Sequence, residues 1–144
     1  MRVCLCDVKG DLKRLLRSGS VPLTSIQRLT ICYQASLALS HLCSEQVVHT
    51  DVAARNFLVT RRLSVKLSCV AAARGVDAGD YCELGGKLVP LRWLAPESAL
   101  AGSYTAASDV WAYAIFVTEV SHSGCLGLSV VLYHDGHSSE NVKN

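Results

Sequence analysis

Among the side chains that could do chemistry, the histidines and cysteines come first, because their types most often mean metal or redox work. His41, His49, His122, His134 and His137 stand at spacings that suit no common helix-face metal pair. His41 falls inside an apolar, helix-like stretch, where packing or capping is the simpler role. The seven cysteines (Cys4, Cys6, Cys32, Cys43, Cys69, Cys82 and Cys125) are odd in number and scattered, with no Cys-x-x-Cys pair. They read as reduced thiols in a reducing compartment, and Cys32 and Cys43 as small hydrophobes. What remains is one dense polar segment, His49-Thr50-Asp51-Val52-Ala53-Ala54-Arg55-Asn56. On spacing alone, Asp51 and Asn56 could do no more than cap turns and bond nearby backbone.

The elements around that segment must position it. The chain has 144 residues, enough for one domain or part of a larger one. Half the residues are hydrophobic and 18% are charged, so disorder of the whole chain is excluded. The net charge of +2 argues against nucleic acid or an anionic membrane as partner. Residues 1–13 lack the apolar run of a secretory signal. The apolar residues 110–117 fall well short of the roughly 20 that a membrane span needs.

Gly10-Asp11 followed by Leu12, Leu15 and Leu16 predicts a short helix, with Asp11 as N-cap and Lys13, Arg14 and Arg17 on the wet side. Thr24 and Gln27 have capping-box spacing before a longer helix. Ile26, Leu29, Tyr33 and Leu37 make one apolar face of it; Ile31, Ala35, Ala38 and Leu42 make another. Two apolar faces predict a helix buried on both sides and ending near Cys43. Residues 57–59 and 65–67 predict a small hairpin across a polar turn. Residues 71–88, with four glycines, predict a long loop. Ser108-Asp109 opens a second buried helix that includes Val110, Trp111 and Phe116, with Gly124 as its C-cap. Trp93 and Trp111 read as core anchors. The fold class is therefore mainly α with a small β element.

The segment from His49 to Asn56 resembles the catalytic loop of protein kinases, H-R-D-L-x-x-x-N, and its Ala-Ala-Arg-Asn ending resembles the tyrosine-kinase form. Downstream, Val89-Pro90-Leu91-Arg92-Trp93-Leu94-Ala95-Pro96-Glu97 resembles the tyrosine-kinase segment around A-P-E. Ser108-Asp109-Val110-Trp111 resembles the start of the family's long central helix. The three stand in the family's order and spacing. The resemblance covers residues 10–124, a truncated kinase-like C-lobe, and leaves residues 125–144 as an unmatched tail.

The resemblance implies roles. Asp51 is the proton acceptor for the substrate hydroxyl, Arg55 places the acceptor tyrosine, and Asn56 holds one Mg²⁺ of a Mg·ATP pair. His49 and Asp109 are structural, with Asp109 bonding the backbone of the catalytic loop from within the core. Glu97 lacks the late-helix arginine it has in the family, so it must be exposed or neutralised. Tyr81 falls where the family carries activation-loop tyrosines and is a candidate phosphosite.

The departures imply loss of activity. Cys69-Val70-Ala71 stands where the family has D-F-G, and a thiol is a poor ligand for Mg²⁺. Thr50 replaces the arginine that pairs with a phosphorylated activation loop. No Gly-rich loop or Val-Ala-x-Lys strand precedes Gly10, so the ATP-binding lobe is expected to lie outside this sequence. These features look most like the inactive receptor tyrosine kinases of the colon-carcinoma-kinase type. The expectation is an inactive signalling module that needs no cofactor of its own and binds protein partners, not nucleic acid. It is expected to be cytoplasmic, or the intracellular part of a membrane receptor. The alternatives are an active tyrosine kinase whose remaining parts lie elsewhere, and a non-functional gene fragment.

Overall fold

The computed structural model describes residues 7–19, 22–68, 78–84 and 86–122. Strand β1 (Val8–Asp11) runs directly into helix α1 (Leu12–Ser18). The Asp11 carboxylate accepts a hydrogen bond from the Arg14 backbone N–H at 2.7 Å, and Gly19, at φ 58°, ends the helix in the left-handed region. Asp11 is thus the expected N-cap; one element was not expected, and one expectation is corrected. Gly10 and Asp11 belong to a strand, which four residues with a central glycine do not announce. Lys13 is not on the wet side; it is 4% exposed, because the turn at residues 78–80 covers it and supplies the Asp80 carboxylate.

Helix α2 (Ser25–Ser44) begins at the expected capping box: Thr24 Oγ1 accepts from Gln27 N–H at 3.2 Å, and Gln27 Oε1 accepts from Thr24 N–H at 2.9 Å. Its Ile31 and Ala35 are buried, while Ile26, Leu29, Tyr33 and Leu37 are 52–76% exposed. The expectation of burial on two faces is thus corrected. Among the described residues, α2 packs on β3 (Val65–Leu67) and on α4 (Ala106–Ser121), and both lie against one side of it. Arg28 fixes this pairing by donating to the Val120 and Ser121 carbonyls at the far end of α4.

Strand β2 (Phe57–Thr60) pairs antiparallel with β3 as the sequence indicates, Phe57 facing Leu67 and Val59 facing Val65. The turn between them is held by Thr60 Oγ1, which accepts from Ser64 N–H at 3.1 Å. β1 adds antiparallel to the other edge of β2, giving a three-stranded sheet in the order β1-β2-β3. The expected long loop is corrected in its described part. It holds a hairpin of β4 (Cys82–Leu84) and β5 (Lys87–Val89), with Gly86 at φ 75° in the turn, a value that glycine tolerates and bulkier residues avoid.

Helix α3 (Pro96–Ala101) starts with proline in its first turn and stops at Gly102, φ 63°. Helix α4 starts one turn earlier than the Ser108-Asp109 pair suggests, at a capping box of Thr105 and Ser108, and its C-cap is His122. The expected C-cap, Gly124, lies outside the described residues. Val110 (65%) and Trp111 (42%) are exposed, which corrects their reading as core. The side of α4 that is buried carries Ala112, Phe116, Glu119 and Val120. Phe116 and Phe57 meet at 4.6 Å between ring centroids, and with Leu12, Ile31, Val52 and Trp93 they join the sheet, the helices and the loop into one core. Every expected site residue except Cys69 falls among the described residues.

Candidate functional site: the loop between α2 and β2

α2 ends at Ser44, and Gln46 turns the chain at φ 57° into an extended stretch that reaches the core at Val52. The stretch is fastened from α4. Asp109, in that helix's first turn, accepts from His49 N–H at 2.6 Å and from Thr50 N–H at 2.9 Å. These two bonds hold Thr50 at φ 69°, a left-handed conformation that a β-branched residue adopts only when its surroundings impose it. His49 Nδ1 lies 3.3 Å from the Asp51 backbone N–H and accepts from it. Residues Ala54–Asn56 then form a 3₁₀ turn that delivers Arg55 and Asn56 beside Asp51. A second anchor from α4 sits under that turn. Glu119 Oε2 accepts from Ala54 N–H at 2.9 Å and from Trp93 Nε1–H at 3.1 Å. Burial raises the Glu119 pKa, and these two donors only partly offset it.

Asp51 is 3% exposed, and both its oxygens are engaged. Oδ1 is ion-paired with Arg55 Nη2. Oδ2 accepts from the Tyr81 hydroxyl at 2.6 Å. Arg55 also donates through Nε to the Tyr81 oxygen at 3.0 Å and through Nη1 to Asp80 Oδ2 at 3.3 Å. Its guanidinium lies 4.3 Å from the Trp93 ring centroid and 4.7 Å from that of Tyr81. Burial alone would depress the Arg55 pKa, but Asp51, Tyr81 and Asp80 together hold it above its ordinary value. Burial, and then the bond to Asp51, raises the Tyr81 pKa, so its hydroxyl keeps the proton that it donates. Lys13 closes the chain of contacts with its ion pair to Asp80.

The structure therefore brings Asp51, Arg55, Asn56 and Tyr81 together, with His49 and Asp109 behind them. Glu97 stands apart, exposed in the first turn of α3. Cys69 lies outside the described residues. Sequence reasoning missed Lys13, Asp80 and Glu119. Glu119 left a readable trace, as a second acid, after Asp109, on the helix side that also carries Ala112, Phe116 and Val120. Lys13 left none, because the basic run around it looks like a solvated face.

Asn56 is fully buried. Its Nδ2 donates to the Asp51 carbonyl at 2.7 Å, while its Oδ1 is the one buried side-chain polar atom without a partner among the described residues. A hard amide oxygen suits Mg²⁺, but the ion also needs carboxylate or phosphate oxygen. Asp51 is already committed, and position 69 carries a thiol. Among the described residues, this donor set does not fit Mg²⁺. Among the described residues no cluster of three or more His, Cys, Asp or Glu side chains could hold a metal, and no helix is long and apolar enough to cross a membrane.

Comparison with known proteins agrees with this architecture. Residues 3–134 match the family model described as protein tyrosine and serine/threonine kinase. The chain belongs to that family. It is 37% identical over 123 residues to the human inactive tyrosine-protein kinase 7, and equally so to the mouse protein, covering 80% of this chain and 12% of those proteins. It is 37% identical over 120 residues to the Drosophila melanogaster tyrosine-protein kinase transmembrane receptor Ror, covering 80% of this chain and 18% of that receptor. The chain thus spans less than a fifth of the length of these relatives.

Proposed function

We propose that this chain is a kinase-family module that binds signalling proteins and transfers no phosphate. The observation that carries the reading is the donor set at Asn56: one neutral amide oxygen, an Asp51 carboxylate already engaged by Arg55 and Tyr81, and Cys69 where the family pattern has an acid. Phosphoryl transfer depends on metal and cationic groups to offset charge on the migrating phosphoryl group, and this site lacks a strong grip on the metal. The place of the acceptor hydroxyl is filled by the chain's own Tyr81. The likeness to a kinase named inactive supports the same reading. By the likeness to transmembrane receptors, the module works as the cytoplasmic part of a receptor. It has no cofactor of its own.

The test is phosphate transfer from radiolabelled Mg·ATP by the full chain, to itself and to an added tyrosine peptide, beside Asp51→Asn. Equal, background incorporation in both is the expected result; incorporation that Asp51→Asn abolishes would overturn the reading. One observation favours the active-kinase alternative. Asp51, Arg55 and Asn56 are all present and converge on one site.

A further inference from the structure

Helix α2 carries a second surface, on the side away from the core residues Ile31 and Ala35. Ile26, Leu29, Tyr33 and Leu37 follow one another at helical spacings of three and four, so they form one stripe, and each is more than half exposed. Four large apolar side chains in a row present on the order of several hundred Å² of contiguous apolar surface, the size at which a patch marks an interaction site. Among Lys, Arg, Asp and Glu, α2 holds only Arg28, which is turned onto the Val120 and Ser121 carbonyls of α4. The hydroxyls near the stripe are turned back onto the helix itself. Thr30 Oγ1 donates to the Ile26 carbonyl at 2.8 Å, Ser36 Oγ to the Tyr33 carbonyl at 2.8 Å and Ser44 Oγ to the His41 carbonyl at 2.7 Å. Covering this face therefore strands no charge and leaves none of these three hydroxyl protons without an acceptor.

We infer that a second copy of this chain covers the stripe, α2 against α2, antiparallel about a two-fold axis between Leu29 and Tyr33. Two features select a copy over another occupant. With no charge on the stripe, an identical surface meets it without like-charge repulsion, and a partner chosen by charge finds nothing to hold. The stripe is also self-complementary. Turned end for end, it sets Ile26 opposite Leu37 of the second copy and Leu29 opposite Tyr33 of the second copy, and each pair recurs across the axis. Spacings of three and four residues are those by which two helices share a long seam. Two such faces together bury on the order of 1,000 Å², which is the lower bound for a specific interface.

The experiment is sedimentation velocity of the full chain from about 0.1 to about 100 µM, beside Leu29→Gln. Leu100→Gln on α3, at an 83% exposed position off the stripe, is the control of the same chemistry. A monomer–dimer equilibrium at micromolar concentration is expected for the full chain and for Leu100→Gln. Leu29→Gln is expected to raise the dissociation constant at least tenfold, roughly, because two-fold symmetry places the change in the interface twice. Urea melts at nanomolar chain, where both are monomeric, are expected to coincide, so that loss of the dimer is not loss of the fold. A monomer throughout overturns the inference; shielding of Tyr33 from iodination in that monomer then makes another part of the chain the occupant, and uptake by neutral phosphatidylcholine vesicles makes it a lipid surface. A dimer that Leu29→Gln leaves intact, or that Leu100→Gln also dissolves, overturns it too. So do assemblies larger than two, since a closed two-fold contact admits no third copy.

Discussion

Glu119 shows how one residue can serve both core and site. It is 2% exposed, yet it bonds the turn that presents Arg55 and the indole that stacks on Arg55. Glu119→Ala leaves the Ala54 and Trp93 N–H groups without an acceptor, and is expected to cost about 1–3 kcal/mol in urea melts. Glu119→Gln keeps an acceptor oxygen and costs less. The pKa of Glu119 is raised on folding, so the folded chain holds the proton more tightly than the unfolded chain. Stability from this group is full below the ordinary glutamate range and falls as pH rises from there through the raised folded value. Glu119→Gln flattens that slope, which melts at a series of pH values will show. Thr50 offers the opposite sign. At φ 69° and exposed, it sits where asparagine is better tolerated, and Thr50→Asn is expected to raise stability by up to about 1 kcal/mol.

At the scale of elements, what could be read from the sequence was local. Thr24 with Gln27 marks the start of α2 because both partners of the capping box lie within one turn. The β2–β3 hairpin is legible because its strands are apolar and its turn polar. Three features were not legible, for one physical reason. β1 exists through its pairing with β2, β4–β5 through its own ladder, and the burial of Lys13 through a turn 67 residues away in sequence. Periodicity also mistook apolar for buried on α2. The contrast is testable on that one helix. Ile31→Ala, at 1% exposure, is expected to cost about 2–5 kcal/mol. Leu29→Gln, at 69% exposure, should change stability by less than about 0.5 kcal/mol. Of the site, the motif residues were legible and their arrangement was not. That Asp109 is the clasp on His49 and Thr50 follows from the family pattern, while the engagement of Tyr81 with Asp51 follows only from the structure.

Across the whole molecule, the family's loop scaffold is kept while position 69 carries a cysteine in place of the family's acid. The 49–56 loop is pinned from α4 at two points, Asp109 and Glu119. Among the described residues the polar cluster at its mouth sets two cations (Lys13 and Arg55) against two anions (Asp51 and Asp80), and both carboxylates are engaged. On the proposed reading, a charge-balanced site of this kind serves recognition of another protein and not phosphate transfer. The claim at the centre is that Asn56 faces no binding site for Mg²⁺. Its most direct test is a Mg²⁺ titration of the ¹⁵N-labelled chain, following the Asn56 side-chain amide resonance with and without ATP. The amide is expected to stay unmoved through millimolar Mg²⁺. A saturable shift of that resonance at sub-millimolar Mg²⁺ would contradict the account.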